Sequence, residues 1–138
     1  MSVQKITIDA MIDAPIDRVW QAYSTPADIT QWNFGSDDWC CPRAEVDLKV
    51  GGNHKARMEA KDGSFGFDFE AVYEEVVPRK ALTMAMSDRR KVRTTFETVG
   101  GKTKVTTSFD AETQNSIAMQ RDGWQAILNN FKRHVETG

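Results

Sequence analysis

Apolar residues recur at every second position through most of this chain, and at helical spacing only near its start and at its end. In residues 5–12, Ile6, Ile8, Ala10 and Ile12 share one face of a strand, opposite Lys5, Thr7 and Asp9. Asp13-Ala14-Pro15 stops that strand, and Pro15 fits a first helical turn, where its missing donor costs nothing. Ile16, Val19, Trp20 and Tyr23 then follow at helical spacing. A second start comes at once, with Thr25 as the cap, Pro26 at the first helical position and Asp28 in the first turn. Ile29 and Trp32 form the apolar side of this short helix, and residues 33–42 read as a loop carrying Trp39.

Beyond that loop the period is two. Strands are expected over residues 44–50, 53–61, 64–76, 81–87, 91–99 and 102–111. Gly51-Gly52, Asp62-Gly63, Pro78, Asp88 and Gly100-Gly101 punctuate them, and Asp-Gly or Gly-Gly between alternating runs marks tight hairpins. Short connections join antiparallel neighbours, so the strands form a meander. Residues 116–136 are helical, with a stripe of Ile117, Gln120, Trp124, Ile127, Leu128, Phe131 and Val135. Such a helix is roughly 30 Å long, enough to cross the sheet. The expected fold is α+β: a curved antiparallel sheet of about seven strands around one long C-terminal helix, with two short helices after the first strand.

Composition narrows the function without naming it. The 138 residues suit one domain spanning the chain, and 40% hydrophobic against 28% charged residues is a globular balance. The net charge of -2 argues against an electrostatic grip on nucleic acid or anionic membrane. No apolar run is long enough to span a bilayer, and MSVQKITIDAMIDAP lacks the apolar core of a leader, so a cytoplasmic protein is expected. Adjacent Cys40 and Cys41 cannot build a disulfide framework, and they chelate a single zinc poorly. No metal or other cofactor is expected. Phosphate loops, dinucleotide fingerprints and nucleophile elbows are missing.

Five phrases in order resemble the START-like (SRPBCC) superfamily: DAPIDRVWQAYSTPADITQW, KVGGNHKARM, FEAVYEEVVPRKALTM, TKVTTSFDAE and GWQAILNNFKRHVE. More narrowly they are similar to homologues of the activator of the large heat-shock chaperone ATPase. The resemblance implies the helix-grip fold, with a cavity between sheet and helix often used for lipids, sterols or polyketides. Many members carry a Trp-Trp pair and a Gly-Pro turn after the second short helix, where this chain reads WNFGSDDWCCP. The expected function is binding of a small hydrophobic or aromatic molecule. One alternative is a cyclase-, aromatase- or hydrolase-like enzyme in the same cavity. The other is a chaperone-activating interaction module. Eukaryotic activators carry an additional N-terminal domain for which this chain has no room, so that role transfers poorly. A monomer or weak homodimer is expected.

Strand parity supplies a lining. Phe65, Phe67, Phe69, Ala71 and Tyr73 share one face of their strand, as do Leu82, Met84 and Met86. Val92, Thr94 and Phe96 do so on the next strand, and His54, Ala56 and Met58 on an earlier one. This face describes a packed core and a ligand-sized hollow equally until its volume is known. His54 would orient a ligand or move a proton, or simply bond to a neighbour. Trp32, Phe34 and Trp39 would flap over the cavity mouth or seal the end of the core. Gln120 and Trp124 lie one turn apart on the long helix, flanking Gly123, which suggests close approach of a strand, Trp32 or a ligand. The candidate ligand-binding set is thus Trp32, Phe34, Trp39, His54, Met58, Phe67, Phe69, Met84, Met86, Phe96, Gln120 and Trp124. His134 reads as a surface cation in the helix's last turn.

Overall fold

A computed structural model describes residues 4–137. Residues 1–3, the first of the segment read for a leader, and Gly138 lie outside the described residues. In chain order the elements are β1 (Lys5–Ile12), α1 (Ile16–Ser24), α2 (Pro26–Trp32), β2 (Trp39–Val46), β3 (Asn53–Ala60), β4 (Gly66–Val77), β5 (Ala81–Met86), β6 (Lys91–Val99), β7 (Lys102–Asp110) and α3 (Ile117–Thr137). The seven strands form one antiparallel sheet in the order β1-β7-β6-β5-β4-β3-β2. The meander therefore runs from β2 to β7, and β1 adds to its far edge.

The alternation expected in β1 is complete: every second residue is buried, from Ile6 to Ile12. Two bulges bend the sheet, one between Cys40 and Arg43 on β2, the other between Tyr73 and Glu75 on β4. The β4 bulge inserts one residue, so the inward phase passes from Tyr73 to Val76, which faces Leu82 on β5. The β2 bulge also corrects an expectation. The strand runs Trp39–Val46 rather than 44–50, because Pro42 sits in the irregular step of an edge strand, where its missing donor breaks no ladder. Val50, expected inside a strand, lies exposed in the turn that follows.

Helix starts differ in detail. Pro15 is the cap residue of α1 rather than part of its first turn, and Thr25 caps α2 with no side-chain hydrogen bond. α3 packs along β1 and touches both short helices. Gln125 Nε2 donates to the Asp9 carbonyl at 3.1 Å, and Lys132 Nζ donates to that of Met11 at 2.9 Å. His134 is half-buried instead of a free surface cation, with Nε2 2.9 Å from an Asp28 carboxylate oxygen, tying α3 to α2.

An aromatic cluster closes one end of the space under the helices. Tyr23 stacks on Trp32 at 5.3 Å between ring centres and meets Phe131 and Phe96 edge-on. The Trp32 indole N–H donates to the Ala22 carbonyl at 2.9 Å, which fixes its ring. Gly52 marks a close approach at the opposite side. A Cβ there would stand 2.1 Å from the Asp47 carbonyl oxygen. Its loop runs along β4, where Gly51 N–H donates to the Tyr73 carbonyl and Tyr73 N–H donates to that of Gly52.

Candidate ligand cavity

Curling the sheet around α3 leaves a hollow of about 410 Å³. Met58 of β3, Phe67 and Phe69 of β4, Met84 and Met86 of β5, and Val92 of β6 supply its sheet wall. Trp124, Ile127 and Leu128 supply the wall on α3. Trp124 is braced by stacking on Phe109, with ring centres 4.1 Å apart. Tyr23 and Trp32 form the closed end.

The mouth follows from strand length. β4 has twelve residues and β5 six, and their pairing begins only at Ala71 and Met86. Residues 66–70 therefore run on without a β5 partner. The gap between this overhang and the β5–β6 turn is the opening, with Asp68 and Glu70 on one side and Ser87, Asp88 and Arg90 on the other. Each acid there has a basic partner. Arg57 is 3.5 Å from Asp68, Lys55 is 3.9 Å from Glu70, and Arg90 is 2.6 Å from Asp88.

His54 is buried in the wall, 8% exposed, with Nδ1 3.0 Å from the Tyr73 hydroxyl. Burial disfavours its charged form and pulls its pKa down to about 4, so the imidazole is neutral at ordinary pH. Burial, and then the nearby Tyr23, push the Tyr73 hydroxyl well above the usual phenol range. A second polar group lies deeper: Tyr23 Oη is 3.2 Å from Thr94 Oγ1, which is 3.1 Å from Thr107 Oγ1. Burial likewise raises the Cys41 thiol, away from a reactive thiolate.

Eight of the twelve residues singled out in the sequence meet at this hollow: Trp32, His54, Met58, Phe67, Phe69, Met84, Met86 and Trp124. Four do not. Phe96 is buried below Trp20 and Tyr23. Phe34 packs against the core after α2. Trp39 faces Phe65 and Phe67 beyond the end of the hollow, 5.9 and 6.2 Å between ring centres. Gln120 is used by the backbone: its Nε2 donates to the Glu112 and Asn115 carbonyls, and its Oε1 accepts from Glu112 N–H. Nor does Gly123 meet a close neighbour, since a Cβ there would find nothing within 4 Å. Sequence reasoning left Tyr23, Thr107 and the His54–Tyr73 pair out of the site. The last was within reach: His54 faces Ala71 across the β3–β4 hairpin, which makes Tyr73 its diagonal neighbour on the same face.

A curled antiparallel sheet gripping one long helix around a lined hollow defines the START-like (SRPBCC) class of folds. The family profile described as "Activator of Hsp90 ATPase homolog 1-like protein" matches residues 13–136, and the chain belongs to that family. It is 45% identical to the AHSA1-like protein from Aeromonas hydrophila, covering 97% of this chain and 93% of that one, with a TM-score of 0.92. Protein Chr148 from Cytophaga hutchinsonii is 42% identical, with 96% and 92% covered and a TM-score of 0.83. Protein CV1439 from Chromobacterium violaceum shares the fold at 20% identity, with 96% and 98% covered and a TM-score of 0.86. A search of curated proteins gave no match. No helix among the described residues is long and apolar enough to cross a membrane.

Proposed function

We propose that this chain binds a small, mostly apolar molecule between the sheet and α3. One observation carries the reading: about 410 Å³ of space walled by methionine, aromatic and aliphatic side chains, with few polar groups inside. Methionine side chains adapt to ligand shape, and Met58, Met84 and Met86 line the sheet side. A ligand that hides about 300 Å² of apolar surface gains about 7 kcal/mol from burial. Association costs remove part of that gain, so dissociation constants of about 0.1–1 mM are expected.

The test is an NMR titration with lipids, polyketides and flavonoids. Saturable shifts at Met58, Phe69, Met86 and Trp124 for one class support the reading. No shift at these residues for any class overturns it. A catalytic use of the hollow would run through the His54–Tyr73 pair. His54→Ala turning over a discovered substrate at the full rate would remove that second reading.

A further inference from the structure

Hydrogen-bond accounting in the wall assigns a proton. Burial keeps the Tyr73 hydroxyl protonated, and among the described residues its one side-chain partner is His54 Nδ1, at 3.0 Å. Tyr73 is buried and does not line the hollow, so donation to Nδ1 is the arrangement that leaves its hydroxyl proton paired, and Nδ1 accepts. A neutral imidazole that accepts at Nδ1 carries its proton on Nε2. Among the described residues Nε2 has no protein partner, yet no fully buried side-chain polar atom among them lacks one. The nitrogen is thus open to solvent-sized probes, and the space beside this buried residue is the hollow it lines.

A second polar group, Tyr23 with Thr94 and Thr107, bonds within itself, and Tyr23 and Thr107 line the hollow. The donor left open to the interior is therefore His54 Nε2–H. Charge is confined to the mouth, where Asp68, Glu70 and Asp88 are paired with Arg57, Lys55 and Arg90. An entering carboxylate would find these cations already paired and then lose its water beside a neutral imidazole, at a large desolvation cost.

Given the binding reading above, the geometry points to an uncharged apolar ligand carrying a hydrogen-bond-accepting oxygen, such as an aryl ketone, seated on His54 Nε2–H, with the matching carboxylates rejected. The oxygen satisfies a donor that a pure hydrocarbon would leave without a partner, and the hydrocarbon skeleton fills the methionine-lined space.

Three probes of one skeleton test this: 2-acetylnaphthalene, 2-ethylnaphthalene and 2-naphthoate, titrated by calorimetry at neutral pH. The ketone is expected to bind about fivefold to tenfold tighter than the hydrocarbon, and the carboxylate weakest of the three. In His54→Phe the ketone should fall to the affinity of the hydrocarbon, while the hydrocarbon keeps its own. Long-range proton–nitrogen NMR correlation on the wild-type imidazole needs no variant, and is expected to place the proton on Nε2. The inference is overturned if the hydrocarbon binds as well as the ketone, if the carboxylate binds tightest, or if the proton sits on Nδ1. In those cases the general binding reading stands. If none of the three binds, this inference falls, while the binding reading is decided by the NMR titration with lipids, polyketides and flavonoids.

Discussion

Acidification charges His54 in the unfolded chain before it charges the folded one. The ordinary imidazole value is 6.5 and the folded value is about 4, lowered by burial. Between these limits the unfolded state binds the extra proton, so folding stability falls as pH drops through the window. The loss begins below the unfolded value and is complete near the folded one. The whole gap corresponds to about 3 kcal/mol, and about 2 kcal/mol of it falls between about pH 7 and about pH 5. Carboxylates held low by neighbours also lose stability in acid. Asp110, held down by its hydrogen bond from Lys5, and Glu136, by that from Lys132, do so chiefly below this interval. His54→Gln isolates the imidazole, since its amide oxygen can still accept from Tyr73 and does not titrate. His134 is present in both proteins and cancels. Urea denaturation followed by tryptophan fluorescence at the two pH values gives the four stabilities needed. The wild type should lose about 2 kcal/mol more than the variant on acidification. Equal losses in both proteins would refute the claim that His54 is buried and neutral.

Two glycines should respond in opposite directions. Gly123→Ala puts a methyl group into open space on an exposed helix face and should stabilise by about 1 kcal/mol, raising the melting temperature by about 3–4 °C. An unchanged or lower melting temperature would mean that something does approach this turn. Gly52→Ala drives a Cβ into the Asp47 carbonyl and should cost about 1–3 kcal/mol. Because the same loop bonds the Tyr73 backbone, the Tyr73 amide resonance should move as well; calorimetry and NMR that show neither change would count against the close approach.

Periodicity carried much of this fold. In β1, β3 and β5 the inward residues are those that alternation selects, because one face of each meets the core and the other meets water. Bulges were harder to see. A run with Pro42 at its centre reads as a loop, and only the edge position of β2 makes that proline acceptable. Site residues divided on similar grounds. Met58, Met84 and Met86 were visible from parity, since a strand's inward face becomes the wall of whatever space the sheet encloses. Gln120 was not, because helical spacing shows which side of α3 it occupies but not that the Glu112 and Asn115 carbonyls claim its amide. Gly123 was misread for the complementary reason: composition flags a helix glycine, and only coordinates reveal that its surroundings are empty. Volume is the property least legible in a sequence, since the same side chains fill a space or line it depending on how far two bulges bend the strands.

The overhang of β4 past β5 gives the protein a doorway without a door. Its jambs are a strand end and a tight surface turn in which Met86 N–H donates to the Arg90 carbonyl and Arg89 N–H donates to that of Met86. Adding or deleting residues in that turn would widen or narrow the entrance while the aromatic cluster at the far end stayed as it is. On the binding reading proposed above, editing this one surface hairpin would change which molecules enter, independently of the interior that holds the fold together.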